Sequence, residues 1–162
     1  MKTGFMIVAL TIGLLAGGMT GTSPAADEVN VSSGGTMAGK PLALHGYDAV
    51  AYFTDGKPVI GDARHTAVYN GAAYYFASAD HKKTFEANPV GYAPAYGGFC
   101  AYGVGVGKKF DGSPQHWTVK NDKLYLNVTA DISRKFAEDL GGNIKKAEKN
   151  WGTIEHKAVG SL

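Results

Sequence analysis

Cys100, His81, His45 and Asp48 are the side chains whose types and neighbourhoods could do chemistry in this sequence. A thiolate with an imidazole suits Cu(I) or Zn(II). The first reading is therefore a metal site built on Cys100 and His81, with His45 or Asp48 completing the donor set. Cys100, His81 and Asp48 could also act as nucleophile, base and orienting acid. The third reading is structural. Free cysteine is among the most buried residue types, so Cys100 packs into the core; a further alternative is an open aromatic pocket at the Tyr96–Tyr102 loop with Cys100 at its wall. His81 is then a first-turn histidine, and Asp48 a turn residue bonding backbone N–H groups. The chain holds none of the clustered ligand motifs CxxC, HxH or MxxM. The run GVGVGK, 103–108, lacks the strand–loop–helix context of a phosphate cradle.

The compartment bears on the thiol. Lys2 gives a positive start, residues 5–15 are almost wholly apolar, and Ser23-Pro24-Ala25-Ala26 precedes the acidic pair Asp27-Glu28. That order is a secretory signal peptide over 1–26, cleaved after Ala25 or Ala26. The expected location is periplasmic or secreted, with no stable membrane insertion after cleavage. An exporting compartment favours disulfides, yet one cysteine cannot form one within the chain. The remaining residues, about 136, make one ordinary domain. Lys2 is the only charged residue of the signal, so the processed chain carries a net charge of +1. That balance gives no electrostatic case for nucleic acid, and none is expected as a partner. The expected partner is a metal ion or a small ligand.

The elements that must position these side chains follow from local pattern. Residues 27–41 are polar and rich in Gly and Ser and read as a flexible leader. Leu42 and Leu44, then Val50, Tyr52 and Phe53, flank a break at His45-Gly46-Tyr47-Asp48. Residues 65–76 form a hairpin, because Asn70-Gly71 supplies the positive φ angles of a type I′ turn. Ser78 caps a helix whose first turn carries Asp80. Pro89 ends that helix near Asn88. His81 and Phe85 lie four apart and share a face. Residues 90–107 have no helical or strand period. A second hairpin, 116–128, turns at Asn121-Asp122. Thr129 or Asp131 caps a helix that Gly141-Gly142 breaks, and Asn143 caps a further helix with Ile144, Ala147 and Trp151. Residues 152–162 read as a frayed tail. No internal repeat is visible. The expectation is an α+β fold: a small antiparallel sheet of two hairpins plus a leading strand, against one short and two C-terminal helices, with eighteen aromatics for its core.

HGYDAVAYF, 45–53, with Asn70-Gly71, Tyr75-Phe76, Phe85, Asn88-Pro89, Tyr92, Tyr96-Gly97-Gly98-Phe99-Cys100-Ala101, Trp117 and Lys123–Asn127, resembles the YHS domain family over roughly 42–151. It looks most like exported bacterial proteins that carry this domain alone. The resemblance implies a small domain related to treble-clef-like metal-sensing modules. Metal-associated members carry cysteines where this chain has Ala51, Ala77 and His81, so one of those three positions keeps a metal-capable side chain. The implied function is an exported YHS-domain binding module that holds one ion, copper or zinc, through the lone thiol. The alternatives are a metal-free small-molecule or partner scaffold and a thiol-dependent redox protein or enzyme.

Overall fold

The computed structural model describes residues 28–162; the signal peptide expected over 1–26 lies outside the described residues. The fold is α+β, as the hydrophobic pattern requires. A four-stranded sheet runs in the order β1 (Val31–Ser32), β2 (Leu42–Ala43), β4 (Ala72–Phe76), β3 (Asp62–Tyr69). The β2–β4 pair is parallel and the other two pairs are antiparallel, so this sheet is mixed rather than wholly antiparallel. A separate hairpin joins β5 (Ser113–Lys120) to β6 (Lys123–Asn127). The α-helical segments are α1 (Ala51–Thr54), α2 (Ala79–Ala87), α3 (Pro89–Tyr92), α4 (Ala101–Gly105), α5 (Ala130–Glu138) and α6 (Leu140–Ile154).

Both hairpins turn as expected. Asn70 and Gly71 have φ of 46° and 74°, and Asn121 and Asp122 have 51° and 55°, the left-handed pair of a type I′ turn. Ser78 and Thr129 accept the N–H of His81 and Ile132 at 3.1 and 3.3 Å and so cap α2 and α5.

The structure overturns the expectation of no repeat. Residues 62–69, 72–76 and 79–87 recur as 113–120, 123–127 and 130–138, a constant offset of 51 positions. The register irregularity between Asp62 and Thr66 recurs between Ser113 and Trp117. The caps between consecutive helices also correspond. Asn88 and Asp139 sit at φ/ψ of −150°/67° and −134°/66° and accept from Gly91 and Gly142 N–H. Val68, Asn70, Tyr74, Asp80 and Phe85 have Val119, Asn121, Tyr125, Asp131 and Phe136 as their counterparts. The identities are few: Asn70, Asp80, Tyr74 and Phe85 sit at turn, first-turn and buried positions, whereas Val68 is half exposed.

Each unit has its own core. Phe85 centres the first, with Tyr74 and Phe76 at ring-centroid distances of 4.9 Å. Phe136 lies in the second, against Tyr125 at 5.9 Å. Strand β6 joins them by alternation: Leu124 and Leu126 enter the first core and Tyr125 the second.

Four further expectations are corrected. Tyr52-Phe53 is helical, because the Asp48 carboxylate caps the start of α1. The stretch 90–107, read as irregular, contains α3 and α4. Gly141-Gly142 lies inside α6, which the Asp139 side chain caps one turn earlier than Asn143 would. The expected leader and tail are tied down within the described residues. Val29 is buried, Asn30 N donates to Gly97 O at 2.8 Å, and β1 falls within the expected leader. Gly97 must be glycine: its φ is +61°, and a Cβ there would collide with the Glu28 carbonyl. At the other end Ile154 is buried and Leu162 packs against the second core.

Phe85→Ala and Phe136→Ala are each expected to lower stability by about 3–5 kcal/mol, read as urea unfolding midpoints. Met37→Ala, at a fully exposed side chain, is the reference and should leave the midpoint unchanged.

Candidate functional site

Asp48 follows a left-handed turn in which Leu44, His45 and Gly46 all have positive φ. That turn directs its carboxylate inward, where it is 0% exposed. Oδ1 accepts the N–H groups of Val50 (2.8 Å) and Ala51 (3.3 Å). Oδ2 accepts the N–H of Ala77 at 2.8 Å and lies 2.7 Å from His81 Nδ1. A carboxylate only accepts, so the His81 proton sits on Nδ1 and faces Asp48. In neutral imidazole Nε2 is then the free acceptor.

His81 arrives at this place because Ser78 caps α2 three residues earlier and fixes its first turn. Its side chain is 19% exposed. Nε2 lies 3.5 Å from Thr54 Oγ1 and 3.9 Å from Asp55 Oδ1, both at the end of α1. The Thr54 hydroxyl is 2.7 Å from Asp55 Oδ1. Sequence reasoning missed Thr54 and Asp55. Thr54-Asp55-Gly56 is a turn signal, and nothing local says that the turn ends beside an imidazole from α2.

Cys100 has other partners. It is 1% exposed and caps α4, its sulfur accepting the Gly103 N–H at 3.4 Å. The Asn127 Oδ1 lies 3.6 Å from Sγ and also accepts the Tyr102 N–H at 3.2 Å. Asn127 Nδ2 is buried with no hydrogen-bond partner among the described residues. His45 Nε2 lies 2.8 Å from Asp111 Oδ1, which also accepts from Asn30 Nδ2 at 2.6 Å.

Of the four candidate ligands, the fold therefore brings His81 and Asp48 together. Cys100 is bonded to Asn127, and His45 to Asp111. Among the described residues no group of three or more His, Cys, Asp or Glu side chains could hold a metal ion. The expected aromatic pocket around Tyr96–Tyr102 also divides. Tyr96 lines an aromatic cleft against α6 that excludes Cys100, and Tyr102 lines a polar depression with Lys135, Glu138 and Lys146.

Residues 50–96 match the family model of the YHS domain. The match covers 47 of the 162 residues, under a third of the chain. No curated protein and no solved structure matches the chain. The matched span of the YHS domain takes in α1, the first hairpin, α2 and α3. His81, Thr54 and Asp55 fall inside it. Asp48 and Cys100 fall just outside its two ends, and the second hairpin-and-helix unit lies beyond it.

Asp48 and Cys100 play corresponding parts in the two units. The Asp48 N–H donates to Val59 O and the Cys100 N–H to Phe110 O, and each side chain caps the short helix that follows. A thiol is a weak acceptor, and α4 is given further support. Asn127 receives the N–H of Tyr102, and Asn150 Nδ2 donates to Val104 O and Gly105 O at its other end.

The Cys100 thiol is expected to resist aqueous thiol reagents in the native protein and to react fully in denaturant, as a colorimetric thiol assay would show. Asp48→Ala is expected to cost more than about 3 kcal/mol, because it strands three backbone N–H groups and the His81 Nδ1–H; equilibrium unfolding gives the value.

Proposed function

We propose that this protein is an exported YHS-domain module that binds a metal ion at His81, with Asp48 holding the imidazole and Asp55 offering the second donor. The observation that carries the reading is the orientation of His81. Its Nδ1–H is committed to a buried carboxylate, and Nε2 is left facing the surface beside another carboxylate. A carboxylate behind a histidine fixes the tautomer and ring orientation and raises the basicity of the ligating nitrogen.

The donor chemistry narrows the ion. One imidazole nitrogen and one carboxylate oxygen suit Zn(II) or Cu(II), whereas Cu(I) favours the thiolate that Cys100 keeps buried. Two protein donors fit an open site completed by solvent or by a partner's ligands. They do not fit a closed four-ligand structural centre. This reading moves the ion from the thiol to the imidazole and makes Cys100 part of the scaffold. Export rests on the signal-like order of residues 1–26.

Titration of the purified protein with Zn(II) and Cu(II) by calorimetry tests this. His81→Ala is expected to weaken binding at least tenfold, and Asp48→Asn by about 10–100-fold. Cys100→Ser should bind as the parent does. Circular dichroism confirms that each variant is folded. Unchanged uptake by a folded His81→Ala variant, or no uptake by the parent protein, would remove the proposal.

A further inference from the structure

The aromatic cleft lies where the two units and α6 meet, away from His81. Its volume is about 290 Å³, close to the lower end for ligand pockets. Tyr74 from the first unit and Tyr125 from the second line it. These two are counterparts at the repeat offset. They are 1% and 4% exposed, yet neither hydroxyl makes a hydrogen bond among the described residues. Buried tyrosine hydroxyls ordinarily have a partner. The side-chain polar atom sealed from solvent without a partner, among the described residues, is Asn127 Nδ2. The two hydroxyls therefore each keep a small accessible surface, and both residues line the cleft.

The rest of the wall has one character. Tyr96 stands between Tyr125 and Trp151, with ring centroids at 5.9 and 5.8 Å. It is held there at φ 54°, ψ 38°, an uncommon backbone for a bulky residue. Burial pushes the phenols of Tyr74, Tyr96 and Tyr125 up, and the Glu148 carboxylate adds to the shift at Tyr96 and Tyr125. The rings thus present neutral, electron-rich faces.

Charge gives the sign of the ligand. Glu28, Glu148 and Glu155 reach the cleft against one ammonium, Lys123. The Lys123 Nζ donates to Val90 O, and Glu28 is 2.7 Å from His156 Nδ1. Glu148 makes no hydrogen bond or ion pair among the described residues. Aromatic faces with an unpaired carboxylate attract a cation, and most strongly one with little hydration. Trp151 itself already takes one cation this way, shared with Phe99: Lys109 Nζ lies 5.3 Å from both ring centroids.

We propose that this cleft binds a small organic ammonium ion, its cationic head against Tyr96, Trp151 and Glu148 and a polar group on the Tyr74 and Tyr125 hydroxyls. The ligand class is a quaternary or alkylated amine that also bears a hydroxyl. A carboxylate-bearing ligand is disfavoured by the three glutamates.

Choline and its uncharged isostere 3,3-dimethylbutanol are the probes, titrated into the purified protein and followed by tryptophan fluorescence and calorimetry. Choline should saturate the signal, and the isostere should bind at least about tenfold more weakly. Glu148→Gln, an exposed substitution, should weaken choline about three- to fivefold. Tyr125→Phe keeps the ring and should abolish the preference for choline over tetramethylammonium, which lacks the hydroxyl. His81→Ala should leave choline binding unchanged, which separates this site from the metal site. Equal affinity for choline and dimethylbutanol, or no saturable response to choline at millimolar concentration, would overturn the proposal.

Discussion

A fully buried carboxylate organises the first half of the molecule. Asp48 accepts three backbone N–H groups and the His81 Nδ1–H, and these donors belong to three different places: the start of α1, the end of β4 and the first turn of α2. A charge without partners in that position would be severely unfavourable, because its hydration is lost and nothing replaces it. With all four donors in place the carboxylate holds the hairpin, α1 and α2 in one relation. The outward-facing Nε2 of His81 and its distance from Asp55 follow from that relation. The candidate metal position is in this sense a by-product of how one acid is satisfied.

The second half repeats the plan with different chemistry at the same place. Cys100 caps α4 as Asp48 caps α1, but a sulfur accepts weakly and carries no charge that must be matched. The demand for partners falls accordingly, and no histidine is drawn in: Ile132 stands where the first unit has His81. Asn127 and Asn150 supply the missing backbone bonds of α4. The lone thiol thus has a structural account. Two units built alike, one around a carboxylate and one around a thiol, leave a reactive side chain at the surface of only the first.

Where the units meet, β6 gives Leu124 and Leu126 to one core and Tyr125 to the other. Tyr52 ties them again, its hydroxyl donating to Pro114 O at 3.0 Å and its ring edge-on to Trp117. A seam of this kind is filled by aromatic residues from both sides, and imperfect filling leaves a cleft. The tyrosine-lined space against α6 is such a cleft, with polar hydroxyls on its wall rather than methyl groups.

Elements carried by short-range rules were legible without the structure. Asn-Gly and Asn-Asp turns, the Ser78 and Thr129 caps, the alternation of the second hairpin and the stop before Pro89 depend on residues only a few positions apart. The family resemblance was legible for the same reason, since its markers are turns, caps and core aromatics. Readings that failed depended on partners distant in sequence. Tyr52-Phe53 has strand-type residues, and only the inward turn of Asp48 makes it a helix. The repeat was hidden because its identities are few and scattered along the two units. Which carboxylate meets which histidine was decided by the tertiary structure. His45 and His81 both lie within a few dozen residues of Asp48, but the left-handed turn at Leu44–Gly46 sends the Asp48 carboxylate inward to α2 and leaves His45 to Asp111, 66 residues away. Local sequence determines the conformation of each turn; where the turned side chain arrives depends on the packing of elements that the turn itself does not contact.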